Sequence, residues 1–293
     1  MQIAFHIGAN CTDEDRLLKS IFKNADVLLQ NGIAVPGPGK YRKLIRETLQ
    51  QLDGALPTPD TRDILIDAIV EDDSIDRIVL TNDNFIAVPK RVFDHGLFYP
   101  QTEMKLRGLA QIFDQDALSL FYGIRNPASF LQEVATRAGV ADIATYLGLL
   151  TPDELRWSDV IARIRRAAPN ALLTVWCNED TPLIWEQLIR LHTGLPPEAA
   201  VTGQYDLLAQ IVTSEGMETL ARRAAEAPPA SELSLQNLIA DVIEEFAVPG
   251  QIEDAIEWPE LDAQTVADLT EAYEEDLEVI AQMEGVTLIL PFT

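Results

Sequence analysis

The sequence predicts an α/β protein with a mostly parallel sheet flanked by helices. Short apolar runs alternate along the chain with longer segments whose apolar residues recur at helical spacing. The loops between them are short, and Gly or Pro marks several of the junctions. Strands that alternate with helices in this way form βαβ units, in which the strands are parallel and the helices cover both faces of the sheet.

The first unit is an apolar run at 3–7, a turn of small residues at 8–12 and a helical segment. Leucine and isoleucine spacing predicts one helix over 13–31, and Gly32 ends it. Ligands of parallel sheets bind where a strand's carboxyl end meets a helix N-terminus, because backbone N–H groups and the helix dipole point there. The three carboxylates at 13–15 are also typical of an ordinary helix start, so an anion site and a plain helix start are both open.

A second short strand is predicted at 33–35, and the Pro-Gly-Pro-Gly sequence at 36–39 predicts a rigid turn without helix. Four cations follow within seven residues: Lys40, Arg42, Lys43 and Arg46. In so acidic a chain this cluster is the strongest local positive signal. It indicates either contact with an anion or a helix face with solvated charges.

The remaining elements continue the alternation of helices and strands. Helices are predicted at 61–70, 103–113, 153–167 and 182–190, and strands at 77–81, 117–124 and 171–176. Polar residues follow each of these strands, at 82–84, 125–126 and 178–180. The carboxyl ends of parallel strands meet at one edge of the sheet, so these residues mark the functional edge.

The composition changes near residue 224. From there to residue 293 the chain has no Lys or Arg and seventeen carboxylates. Helices are predicted at 234–247 and 263–282, followed by a strand at 286–290. We therefore predict an α/β domain over 1–225 and an acidic, mainly helical C-terminal extension over 226–293 that packs on it. The acids at 271–278 lack the spacing and glycine of a calcium loop, so no metal site is expected.

The net charge of −25 argues against nucleic acid and anionic membrane as partners, because a surface this negative repels both. Two cysteines, Cys11 and Cys177, are too few for a disulfide framework. The N-terminus has no basic segment followed by an apolar core, and no apolar run approaches the roughly 20 residues of a membrane span. We expect a soluble cytoplasmic protein; the oligomeric state is open.

The order of these segments resembles bacterial sulfotransferase-family proteins. Their usual opening is His-Ile-Gly-x-Pro-Lys-Thr-Gly-Thr-Thr, a helix and then Gly-x-x-x-Pro; residues 6–12 here are His-Ile-Gly-Ala-Asn-Cys-Thr, and residues 32–36 are Gly-Ile-Ala-Val-Pro. The strand at 118–124 with Arg125-Asn126-Pro127 resembles the family's second motif. Residues 156–180 resemble its later helix, strand and Tyr-Glu-Asp-like ending, so the resemblance covers roughly residues 1–195.

This resemblance implies a P-loop-like fold and transfer of a sulfuryl group from 3′-phosphoadenosine 5′-phosphosulfate (PAPS) to a hydroxyl of a small-molecule or glycan acceptor, without a metal. It implies a donor site in which Arg125 contacts the 3′-phosphate, with Ser129 close by and Arg16 near the loop. The loop residues of that site are Gly8, Ala9, Asn10, Cys11 and Thr12.

The position of Asp83, at the strand end, resembles that of a Glu in related bacterial members, which makes Asp83 the candidate base for the acceptor proton, with His6 as the alternative. Each has an ordinary interpretation beside it: a turn or cap residue for Asp83 and a packed core residue for His6.

The chain departs from the family pattern where charge matters most. Cys11 stands where the family has its phosphate-loop Lys, and Asp13, Glu14 and Asp15 replace the Gly and hydroxyl residues that follow. Glu133 stands where the second motif has Ser. These changes remove a cation and add anions near the implied phosphosulfate.

Three functions are therefore open. The first is a PAPS-dependent sulfotransferase. The second is a degenerate, non-catalytic member of that fold that serves as a binding or scaffolding protein. The third, a different P-loop-type nucleotide enzyme, is the least supported because no Gly-x-x-x-x-Gly-Lys-Ser/Thr sequence occurs.

Overall fold

A six-stranded sheet forms the centre of the molecule, for which a computed structural model describes residues 1–12, 14–72, 74–252, 256–259 and 261–292. The strands lie in the order β2-β3-β1-β4-β5-β6, and all of these pairings are parallel. The prediction of a parallel α/β sheet is confirmed. The strands are β1 (Gln2–Gly8), β2 (Ile33–Ala34), β3 (Arg77–Thr81), β4 (Ala117–Ile124), β5 (Leu172–Cys177) and β6 (Val286–Ile289).

Helices flank the sheet on both faces. In the described ranges they are α1 (Arg16–Phe22), α2 (Ala25–Gln30), α3 (Pro38–Leu52), α4 (Thr61–Ile69), α5 (Thr102–Ile112), α6 (Pro127–Ala138), α7 (Ile143–Leu147), α8 (Trp157–Ala167), α9 (Thr181–Thr193), α10 (Leu208–Ile211), α11 (Ser214–Glu226), α12 (Glu232–Phe246) and α13 (Ala263–Ala281). Within those ranges no helix combines the length and the hydrophobicity that a bilayer crossing requires.

The alternation of side chains along each strand divides the core between the two faces of the sheet. Ile3, Phe5 and Ile7 of β1 belong to the larger core, which α3, α4, α5, α6, α8 and α13 cover. Ala4 belongs to the smaller core, which α1, α2 and α9 cover. Because both faces are buried, β1 is apolar almost throughout and lies at the centre of the sheet.

The single helix predicted over 13–31 is wrong: α1 and α2 are separate helices that break at Lys23–Asn24. The Asn24 side chain donates to the carbonyls of Ser20 (3.0 Å) and Thr202 (2.9 Å), so a distant loop holds the break. The sequence pattern alone contains no sign of that partner. Asp13, the first residue of the predicted helix, lies outside the described residues.

The starts of α3 and α8 are among the other boundaries that differ from the prediction. The Pro-Gly-Pro-Gly segment is not only a turn, because α3 begins at Pro38, and Pro in a first helical turn loses no hydrogen bond. The helix predicted over 153–167 begins at Trp157, after a short 3₁₀ turn over Pro152–Glu154.

The C-terminal segment continues the fold. α13 packs against α6 and α8, and β6 pairs with β5 in the register Leu173↔Val286. A third, smaller apolar cluster joins Leu220 of α11 to Val242 of α12, across the predicted boundary at 225. The division into two domains stays a prediction.

Candidate functional site

The turn after β1 lies at the carboxyl edge of the sheet, next to the segment that follows β3. Gly8 has φ +138°, and a Cβ there would lie 3.1 Å from the Tyr122 ring and 3.2 Å from the Asp83 carbonyl oxygen. Glycine is needed at this position for its backbone conformation and for the close approach. The loop and Asp83 are therefore held side by side, as the sequence predicted for one edge.

Asn10 ties the loop to its surroundings. Its buried side chain donates to Asn84 Oδ1 (2.8 Å) and to the Ala87 carbonyl (2.9 Å), and it accepts from the Tyr99 hydroxyl (2.6 Å). Its backbone N–H donates to the same Tyr99 oxygen (3.1 Å). Asn10 is thus a structural anchor whose amide group is engaged by the protein itself.

Cys11 and Thr12 also turn inward. Burial raises the pKa of the Cys11 thiol to about 12, so the thiol is neutral at pH 7. The Thr12 hydroxyl donates to the Ala9 carbonyl (2.8 Å), and Ala9 N–H donates to the Gly123 carbonyl (2.8 Å). The position of the family's lysine is therefore filled by a buried, uncharged side chain.

Arg125 and Ser129, which the sequence assigned to one site, lie together. Arg125 Nε donates to Ser129 Oγ (3.0 Å), and its Nη1 donates to the Cys11 carbonyl (2.9 Å). Asn126 caps α6 by accepting from Ala128 N–H (3.0 Å). The end of β4 is therefore bound directly to the loop after β1.

The described carboxylates of the loop are paired with arginines of the same chain. Asp15 binds Arg42 through two oxygens, one of them 3.2 Å from Nη1. Glu14 pairs with Arg137 and, at 3.4 Å, with Arg16. The sequence prediction missed Arg137 entirely, and it identified Arg42 only as part of the basic cluster.

Arg42 reaches beyond the loop. Its Nε donates to the Thr81 carbonyl (2.8 Å) and its Nη2 lies 3.2 Å from Thr81 Oγ1. Of the other cluster residues, Lys40 pairs with Glu71 (3.0 Å) and Lys43 with Glu47 (3.7 Å). The basic cluster is thus partly ion-paired within the protein.

The two candidate bases differ in environment. Asp83 is half-buried and accepts from Asn84 Nδ2 (2.7 Å). His6 is fully buried against the rings of Trp176 and His192, with its Nε2 2.9 Å from the Gly8 carbonyl. Burial lowers the pKa of His6 to about 4, and the nearby Asp83 opposes that shift. This environment favours the core interpretation of His6.

A cavity of about 370 Å³ opens beside the end of β3, between α3 and α5. Three cations, Arg42, Arg46 and Lys105, line it together with Asn82 and Asn84. We refer to it as the α3–α5 cavity. Asp83, between the two asparagines, is not one of its lining residues. The sequence prediction identified Arg42 and Arg46 here but not Lys105.

No family model matches the chain, and no curated protein matches it. A crystal structure of a sulfotransferase from Alicyclobacillus acidocaldarius is similar, with 12% sequence identity and a TM-score of 0.40. The similarity covers 82% of this chain and 95% of that one. A TM-score of this size does not establish a shared fold or activity. The resemblance of the sequence motifs stays a prediction.

The described residues around the loop do not fit a phosphosulfate group. Where the family has a lysine, this chain has the neutral Cys11, and Arg42 and Arg137 hold carboxylates of the loop. Over the described ranges, no group of three or more His, Cys, Asp or Glu side chains is arranged to hold a metal ion.

Proposed function

We propose that this protein is a non-catalytic binding protein, in which the loop after β1 stabilises the fold instead of holding PAPS. One observation carries the proposal: the loop carboxylates of Asp15 and Glu14 are paired with Arg42 and Arg137 of the same chain. In these pairs the protein's own carboxylates take the arginines that an anionic ligand would need.

The negative charge of the loop disfavours binding of the negatively charged donor PAPS. A ligand phosphate about 4 Å from Asp15 would meet a repulsion of about 1–4 kcal/mol at a partly exposed site. That free energy corresponds to about a tenfold to thousandfold loss of affinity. A ligand phosphate could take Arg42 only by breaking the Asp15–Arg42 pair, which would leave the Asp15 carboxylate uncompensated beside it, and Arg42 is also bound to the Thr81 carbonyl.

The PAPS-dependent transferase is the second candidate, and the contact between Arg125 and Ser129 supports it. In this candidate, these two residues hold the 3′-phosphate, residues 8–12 and Arg16 line the 5′ side, and Asp83 is the base. His6 is the weaker alternative base, because a proton acceptor with a pKa of about 4 is poorly matched to neutral pH.

Calorimetric titration with 3′-phosphoadenosine 5′-phosphate, the desulfated donor product, distinguishes the two candidates. We expect no binding to the native chain at millimolar ligand. Micromolar binding that is lost in an Arg125→Ala variant would overturn the proposal and establish a donor site.

A variant of the loop provides the positive control for that titration. Cys11→Lys combined with Asp13→Gly, Glu14→Thr and Asp15→Thr restores the family residues and leaves the buried Asn10 in place. We expect this variant to gain nucleotide binding, with circular dichroism confirming that it is folded. A folded variant that fails to bind would show that the loop substitutions are not what excludes the donor.

A further inference from the structure

Two cations of the α3–α5 cavity, Arg46 and Lys105, have no acidic partner in the part of the chain that the structure describes. Within the described residues, no carboxylate lies at ion-pair distance from Arg46 or Lys105, although the chain has 47 Asp and Glu against 22 Lys and Arg. Other basic residues of α3, such as Lys40 and Arg42, do pair with acids. Two unneutralised cations at one cavity of so acidic a protein indicate a site for an anion.

Lys105 is placed to hold such an anion. Its Nζ donates one N–H to the Phe85 carbonyl (2.7 Å) and lies 5.9 Å from the centre of the Phe85 ring. An ammonium group has three N–H donors, so others are available to a ligand. Burial and the charges of Arg91 and Arg46 lower the pKa of Lys105 to about 8. An anion beside the ammonium would relieve that cost.

The cavity wall also has an apolar part. Leu49, Phe85, Val88 and Met104 line it, and Val88 and Met104 are each nearly half exposed. Its volume of about 370 Å³ is near the lower end of the range, about 300–1,000 Å³, in which small-molecule sites fall. A ligand that fills this space needs an apolar body as well as a charged group.

We propose that the α3–α5 cavity binds a small organic anion with one negative group and an aromatic or similarly compact apolar body. The carboxylate, sulfate or sulfonate lies between Lys105 and Arg46, and the body lies against Phe85 and Met104. The exposed Asp53 at the same cavity disfavours ligands with several negative charges. This inference builds on the proposed binding role but concerns a different site from the nucleotide titration, so the two can fail separately.

Naphthalene-2-sulfonate and its neutral analogue naphthalene-2-sulfonamide test this site by calorimetry. We expect the sulfonate to bind the full chain at micromolar concentration and the sulfonamide at least tenfold more weakly, because only the sulfonate gains hydrogen bonds between charged groups. Lys105→Met, which keeps the apolar stem, and Arg46→Gln should each weaken sulfonate binding about tenfold.

The matched control is Lys43→Gln, which changes an exposed cation of the same helix that does not line the cavity. It should change the affinity less than twofold. Equal affinity for sulfonate and sulfonamide, no loss in Lys105→Met, or no binding of sulfonate at millimolar concentration would each overturn the proposal.

The pH dependence gives a second readout. Sulfonate affinity should fall above about pH 8, as Lys105 loses its proton. The other charged groups that face Lys105 or line the cavity are Arg42, Arg46, Arg91 and Asp53. The Lys105→Met variant should lack that fall. A native affinity that is flat from pH 7 to pH 9.5 would exclude Lys105 as the anion contact.

Discussion

The Arg42 side chain connects the loop before α1 to the end of β3. It binds the Asp15 carboxylate before α1 and the Thr81 carbonyl at the end of β3. It is only partly exposed, so these bonds are less screened by water than those of a surface pair. The loop is therefore held from both sides, by Arg42 at β3 and by Arg125 at β4.

His6 makes the stability of the fold depend on pH. Its folded-state pKa of about 4 lies below the ordinary 6.5, so the unfolded chain binds the proton more tightly. The stabilisation is complete above pH 6.5 and is lost as the pH falls towards 4. His6 alone should account for a loss of about 3 kcal/mol in the free energy of unfolding across this window, measured by urea denaturation.

Two variants isolate that contribution. His6→Asn removes the titrating group and should reduce the slope of unfolding free energy against pH. His95→Asn changes an exposed histidine with a positive φ that Asn tolerates, and it should leave the slope unchanged. Equal slopes in the native chain and in His6→Asn would show that other groups cause the acid sensitivity.

α13 buries its apolar face in the same core as the helices of the central fold. Leu269, Tyr273 and Ile280 are buried in the larger core, and the buried Asp276 accepts from Ser158 N–H at the start of α8 (3.1 Å). Thr270 accepts from the side chain of Asn126 (3.0 Å), which ties α13 to the end of β4. We infer that α13 unfolds together with the sheet.

Replacement of one α13 residue tests this inference. Ile280→Ala removes a fully buried side chain and should lower the free energy of global unfolding by about 3 kcal/mol, as for a central core residue. Denaturant unfolding followed by tryptophan fluorescence measures this loss, because Trp157 and Trp176 are buried in the folded protein. Val279→Ala, at a half-exposed neighbour, should cost about 0.5 kcal/mol. An unchanged tryptophan transition in Ile280→Ala would make α13 a separately unfolding appendage.

The strands were more predictable than the connections between the helices. Strands 77–81 and 117–124 were predicted at their exact bounds, because a buried strand of a parallel sheet is a continuous apolar run that a short window detects. The break between α1 and α2 was not predictable, because it depends on a bond from Asn24 to Thr202. For the same reason, the pairing of Glu14 with Arg137 and the place of Lys105 in the cavity emerge only from the fold.

The net charge of −25 should make the whole molecule more stable in salt. Repulsion among like charges opposes the compact state, and added salt screens it. We expect the melting midpoint to rise by about 2–4 °C between 10 and 200 mM sodium chloride, which corresponds to about 1 kcal/mol for a chain of this size. Differential scanning calorimetry measures the shift.

The acidic face of α13 offers a control for the salt effect. Glu274, Glu275 and Glu278 are exposed, and replacing all three by Lys makes the net charge less negative by six. The variant should show a smaller salt-induced rise than the native chain. A native midpoint that falls with salt would mean that internal ion pairs outweigh the general repulsion.

Arg46 and Lys105, which have no carboxylate partner among the described residues, lie in a strongly negative molecule, and this placement has a kinetic consequence. An approaching anion is repelled by the acidic surface around the cavity once it is within about 8 Å, because physiological salt screens charges from one another at longer distances. This repulsion increases with the number of negative charges on the ligand. We expect a singly charged molecule to associate with little delay and a nucleotide with several phosphates to associate more slowly. Ligands should therefore differ in association rate according to their charge, before any contact with the cavity is made.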